Sequence, residues 1–73
     1  MTTDGEQIRI QLNGEERSVP AGLDVADLLE RVGVDRREVV VERNREILRR
    51  DELEDVGVEE GDTLELVHFV GGG

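Results

Sequence analysis

The stretch Ile8–Gly33, IRIQLNGEERSVPAGLDVADLLERVG, decides the fold. Ile8, Ile10 and Leu12 alternate with Arg9 and Gln11, the period of a half-buried strand. Asn13-Gly14 follows, a dipeptide suited to a two-residue hairpin turn because both central residues must reach positive φ. Glu15 to Pro20 is expected to return antiparallel with Val19 facing inward. Pro20 has no N–H to offer a ladder, so this second strand lies at an edge or ends there. After Ala21-Gly22, Asp24 reads as a helix N-cap, with Asp27 three residues on to complement the helix N-terminus. Val25, Leu28, Leu29 and Val32 fall on one apolar stripe at helical spacing. Gly33 is placed as the C′ residue, and Val34 supplies the apolar contact of a Schellman stop. So short a helix, spanning residues 24–32, does not persist alone in water and must pack on a sheet.

Outward from this unit the pattern is all strand. Val39, Val40 and Val41 form an unbroken β-branched run, the mark of a strand that is central or covered on both faces. Asn44-Arg45 is a turn, and Ile47 and Leu48 make a short fourth strand. Residues 49–58 are mixed and charged, with Leu53, Val56 and Val58 as anchors for a tight turn or a 3₁₀ segment. Glu60-Gly61-Asp62 is a turn. Thr63 to Val70 is the last and longest strand, with Leu64, Leu66, His68 and Val70 on one face and Val67 and Phe69 on the other. The order β-β-α-β-β-β is α+β, with one main helix on one face of a mixed four- to five-stranded sheet, the β-grasp (ubiquitin-like) arrangement. The expected organisation is a flexible N-terminus at residues 1–7, a folded domain at 8–70 and a flexible glycine tail at 71–73.

Composition narrows the function. The 73 residues suffice for a single domain, and 19 acidic residues against nine basic ones give a net charge of −10. Every basic residue is arginine. With no lysine, the chain cannot form lysine-linked chains on itself. The 23 Leu, Ile, Val and Phe residues are too many for the usual disordered signature. No cysteine excludes a disulfide framework, a thiol nucleophile and a cysteine-based zinc site, and one histidine cannot build a histidine-rich one. The negative charge opposes nucleic-acid phosphates and anionic membranes, and a single aromatic residue gives no stacking platform. The N-terminus lacks a signal-peptide layout and no apolar run approaches a membrane span. The expectation is a cytoplasmic protein, monomeric when free, with no metal or cofactor of its own.

The end of the chain carries the chemistry. An apolar strand gives way to Gly71-Gly72-Gly73. Extended, three glycines span about 10 Å. Lacking Cβ atoms, they can thread a channel too narrow for side chains and present a carboxylate to another protein. The stretch Gly61-Asp62-Thr63-Leu64-Glu65-Leu66-Val67-His68-Phe69-Val70-Gly71-Gly72-Gly73 resembles the end of the ThiS family, the ubiquitin-like sulfur carriers of thiamine (thiazole) biosynthesis. Asn13-Gly14-Glu15 and Val25-Ala26-Asp27-Leu28-Leu29 are also similar, so the resemblance covers residues 8–73. Two turns depart from the family pattern: Asn44-Arg45 where Asn-Gly is common, and Glu60-Gly61-Asp62 where Asp-Gly-Asp is. Both lie away from the terminus.

The resemblance implies a protein substrate rather than an enzyme. A ubiquitin-activating-type adenylating enzyme (ThiF-like) would activate the Gly73 carboxylate as an acyl-adenylate. A persulfide sulfur donor would then displace AMP, and the resulting thiocarboxylate would deliver sulfur to thiazole synthase (ThiG-like). Gly72 completes the Gly-Gly pair and Gly71 extends the arm. The same tail would also fit the small subunit of molybdopterin synthase, a ubiquitin-like modifier or a sulfur carrier for tRNA thiolation. The VHFVGGG ending favours the thiazole carrier.

Glycines offer only backbone groups, so selective recognition must come from the folded surface before them. Val67 and Phe69 share a face with Thr63 and Glu65, polar at its start and apolar near the tail, and are expected to be the docking anchors. His68 is a packing or surface residue rather than a general base. The acidic runs Glu52-Glu54-Asp55 and Glu59-Glu60-Asp62 lack the spacing of a calcium loop and read as solvated faces. Arg36-Arg37 and Arg49-Arg50 are expected to anchor local carboxylates.

Overall fold

The computed structural model describes residues 6–69. Strands β1 (Gln7–Leu12) and β2 (Glu15–Pro20) form a hairpin, followed by helix α1 (Val25–Val32) and a 3₁₀ turn at Arg36–Glu38. Then come β3 (Val39–Arg43), β4 (Glu46–Leu48), a 3₁₀ segment at Arg50–Asp55 and β5 (Thr63–His68). The strands form one mixed five-stranded sheet in the order β2-β1-β5-β3-β4. β1 runs parallel to β5, and the other neighbouring pairs are antiparallel. This is the expected β-grasp, with α1 against one face of the sheet. Among the described residues no helix is long and apolar enough to cross a membrane.

Local chemistry fixes each element. Asp24 Oδ1 accepts the Asp27 N–H at 2.7 Å and Asp27 Oδ2 accepts the Asp24 N–H at 3.1 Å, a reciprocal capping box. Gly33 closes the helix at φ 80°, and the Val34 N–H reaches the Leu29 carbonyl at 2.9 Å, the six-to-one bond of a Schellman stop. Both hairpin turns use left-handed backbone: Asn13 and Gly14 at φ 52° and 83°, Asn44 and Arg45 at 50° and 74°. Pro20 ends β2, which lies at the sheet edge as its missing N–H requires.

The core lies between α1 and the sheet. Val25, Leu28 and Leu29 of α1 bury against Ile10, Leu12, Val39, Val41, Leu64 and Leu66, while Leu53 and Val58 close the end of the sandwich. One strand departs from expectation. Val39 and Val41 are buried, but Val40 is 38% exposed. β3 has neighbours on both sides, yet α1 covers one face of the sheet, so the middle residue of the valine run points to the other, uncovered face. The sequence pattern also gives no sign that Gly57 bridges Asp24. There the Val25 N–H bonds the Val56 carbonyl and the Val58 N–H bonds the Leu23 carbonyl, both at 2.9 Å.

Candidate functional site

The candidate functional region is the uncovered face of the sheet where β5 leads toward the chain end. Alternation along β5 sends Leu64 and Leu66 into the core and Val67 outward, with Phe69 beyond the strand end on the same side. As expected, Val67 and Phe69 are exposed, at 54% and 43%. Two further apolar residues join them. Val40 stands opposite Val67 in the β3–β5 ladder, and Ile47 of β4 lies 67% exposed beside Glu42 in the β3–β4 ladder. The four make an apolar patch on an otherwise charged domain. Val40 is missed in the sequence because a β-branched run reads as doubly buried, and Ile47 because a three-residue strand gives no alternation to assign its face.

Next to the patch, that face carries carboxylates. Glu42 and Glu65 stand directly opposite each other two pairs further along the β3–β5 ladder, an arrangement of like charges that costs stability in the free chain. A groove beside the patch is lined by Val40, Ile47, Leu48, Phe69, Arg36 and Arg50. Arg36 donates to Glu54 at 2.6 Å and to the Arg50 carbonyl at 3.4 Å. The Arg36 guanidinium holds the Glu54 carboxyl below its usual range. Arg37 and Arg49 likewise pair locally, with Asp35 and Asp51, and each lowers its partner's pKa. Arg50 makes no ion pair among the described residues.

Two asparagines and one aspartate fix the start of β5. Asn13 Oδ1 accepts the Leu66 N–H at 2.8 Å, and the Asn13 N–H donates to the Leu64 carbonyl at 2.9 Å. On the other side of the strand, Asn44 Oδ1 accepts the Thr63 N–H at 2.9 Å and the Asn44 N–H donates to the Thr63 carbonyl at 2.8 Å. Asp62 was expected on a solvated acidic face. Instead it is buried, accepting from the Glu59 N–H at 2.8 Å, Arg43 Nε at 2.9 Å and Asn44 Nδ2 at 3.1 Å. Burial alone pushes its pKa up, but the Glu59 N–H, Arg43 and Asn44 outweigh it and leave the carboxyl below its usual range. The departure from the common Asp-Gly-Asp turn therefore leaves the buried aspartate in place.

His68 continues the inward parity of Leu64 and Leu66 and pairs with the buried Val39, but is itself exposed. The expectations for Gly71, Gly72, Gly73 and Val70 fall outside the described residues. Among the described residues, no three metal-ligating side chains gather into a site.

Comparison with known proteins agrees with this geometry. The family model described as "ThiS family" matches residues 9–73. A sulfur carrier protein ThiS from Bacillus subtilis is 37% identical over 65 residues, which is 88% of this chain and 98% of that protein. A thiazole synthase from Paramagnetospirillum magneticum is 47% identical over 66 residues, covering 90% of this chain. This chain spans only 20% of that synthase and of a second one, from Magnetococcus marinus, to which it is 39% identical. The crystal structure of a thiamine biosynthesis protein (ThiS) from Geobacter metallireducens superposes with a TM-score of 0.79 at 33% identity, covering 90% of this chain and 100% of that one.

Proposed function

We propose, because this chain belongs to the ThiS family, that it is a sulfur carrier of thiamine biosynthesis that works through its terminal glycine. The observation that carries the reading is the continuity between the apolar patch of Val67 and Phe69 and the Gly71-Gly72-Gly73 sequence that follows it. A folded surface for recognition leads straight into residues without side chains, which a partner can draw into a narrow active site.

A carboxylate is a poor electrophile. In the proposed sequence an oxygen of the Gly73 carboxylate attacks the α-phosphorus of ATP, pyrophosphate leaves, and an acyl-adenylate remains on the chain. The terminal sulfur of a persulfide on the donor protein then attacks the acyl carbon and AMP leaves. Two electrons from a thiol cleave the S–S bond and release the thiocarboxylate. This product is a protein-held sulfur nucleophile, so free sulfide need not accumulate. No side chain of the carrier acts as acid or base, in keeping with a chain that holds no cysteine and one histidine. The chain is thus a protein substrate of an adenylating enzyme and the sulfur donor for thiazole synthase. The thiazole synthases among its relatives support the second partner.

The test is intact mass after incubation with the adenylating enzyme, ATP and a persulfide donor. The expected product gains the mass difference of one sulfur replacing one oxygen, and deletion of Gly73, which shortens the arm by about 3.5 Å, abolishes it without unfolding the domain. Sulfur loading that survives the deletion overturns the reading. Rescue of a thiazole auxotroph is the companion measurement; rescue of a molybdopterin mutant alone would reassign the carrier.

A further inference from the structure

The two sides of β5 are unequally used. Toward β3 the ladder is continuous from Leu64 to His68, and the Phe69 N–H still donates to the Glu38 carbonyl at 3.3 Å. Toward β1 the pairing stops at Leu12 and Leu64, because β1 turns away at Asn13-Gly14. The Asn13 side chain takes the next N–H, that of Leu66. Strand groups of the same parity point the same way. The Leu66 carbonyl and the His68 N–H and carbonyl therefore continue along this side, and no backbone or side-chain group among the described residues bonds to them.

This open segment differs from the two outer edges of the sheet. β2 is guarded by Glu15, Glu16, Arg17 and Pro20, and β4 is three residues long and begins with Glu46. Charge, proline and brevity are the usual means of keeping an edge from pairing. Leu66-Val67-His68 carries neither acidic residue nor proline, it continues a strand that is paired on its other side, it adjoins the exposed Phe69, and the tail follows.

We propose that Leu66–His68 is a strand-addition site: an extended segment of thiazole synthase pairs with the free side of β5 and extends the sheet beyond the Asn13-Gly14 turn. This rests on the carrier reading above. The unpaired donor and acceptors at two-residue spacing select extended backbone, while the adjoining patch selects an apolar side chain from it. A second copy of this chain is disfavoured as occupant, since each copy brings a net charge of −10. Backbone pairing along β5 also fixes the direction in which the tail leaves, which contacts to the flat face alone do not.

His68 allows the N–H to be removed without touching an internal bond. His68→Pro deletes it where the preceding Val67 is already extended, as a residue before proline must be. His68→Ala removes the side chain and keeps the N–H. Affinity for purified thiazole synthase is measured by calorimetry alongside thermal unfolding. The expected result is that His68→Ala binds within about 2-fold of wild type and His68→Pro binds about 10-fold more weakly while still folded. Equal binding by a folded His68→Pro, or an equal loss in both variants, overturns the proposal. Should His68→Pro unfold, amide exchange of the wild-type chain decides: protection of the His68 N–H in the complex supports strand addition, and unchanged exchange overturns it. Wild-type chain that does not bind the synthase at all refutes the carrier's assigned partner instead.

Discussion

Asn13 and Leu66 lie 53 positions apart, yet the Asn13 side-chain oxygen accepts the Leu66 N–H at 2.8 Å. It does so from a left-handed backbone with φ 52°, so one residue makes the hairpin turn and secures the strand that leads to the tail. The two roles separate by mutation. Asn13→Gly keeps the turn and loses the bond, an expected cost of about 1 kcal/mol. Asn13→Ala loses the same bond but, unlike glycine, keeps a Cβ in the left-handed region without the polar side chain that helps asparagine adopt it, and should cost about 1–2 kcal/mol more than Asn13→Gly. Urea unfolding of the two variants checks the order; equal losses would mean that the bond alone matters.

The buried pair of Asp62 with Arg43 predicts a pH dependence. The Asp62 pKa is lower in the folded chain than its ordinary value of 3.8. Its contribution is therefore present in full above the unfolded pKa and is lost as pH falls through the folded value. Asp62→Asn should destabilise the domain by about 1–3 kcal/mol at neutral pH. The gap to wild type should narrow as pH drops below about 4, and a gap that is constant from pH 7 to pH 3 would contradict the ion-pair account.

Arg45 occupies a turn position at φ 74°, a backbone conformation that favours glycine. Its side chain is exposed, so nothing in the core compensates for the left-handed backbone. Relief of that strain, about 1–2 kcal/mol, exceeds the entropy that glycine adds to the unfolded chain, about 0.5–1 kcal/mol. Arg45→Gly should thus raise the thermal midpoint by a few degrees, a gain at a site where glycine would ordinarily be a loss.

Phe69 is 43% exposed, so a partner that covers it removes less than half of the ring's area from water. That is worth about 1 kcal/mol, and Phe69→Ala should weaken association with the adenylating enzyme roughly 5-fold with little change in thermal unfolding. Loss of folding with normal residual binding would place the ring in the core and remove it from the docking surface.

The covalent order of the elements was legible because each carries a local signal: the alternation of Ile8 to Leu12, the Asp24/Asp27 box, the Gly33 stop. Local signals do not specify which sheet face is covered. That depends on which face α1 packs against, and Val40, on the opposite face, is exposed. Nor do they reveal side chains acting at a distance. Asp62 sits in an acidic run and finds its side-chain donors 18 and 19 positions away, in the Asn44 amide and the Arg43 guanidinium. Of the candidate site, Val67 and Phe69 followed from strand parity, whereas Val40 and Ile47 required the pairing register.

The position of β5 at the centre of the sheet has a consequence for biosynthesis. Until Thr63–His68 has left the ribosome, the hairpins β1-β2 and β3-β4 have no strand between them to join them into one sheet. Its parallel pairing with β1 closes a loop across most of the domain, the kind of non-local contact that forms late. The segment that completes the fold is also the one that leads to the glycine tail of the proposed function. A nascent chain therefore cannot offer a folded docking face before the tail's own root has been made, and competence for activation arrives together with structural completion.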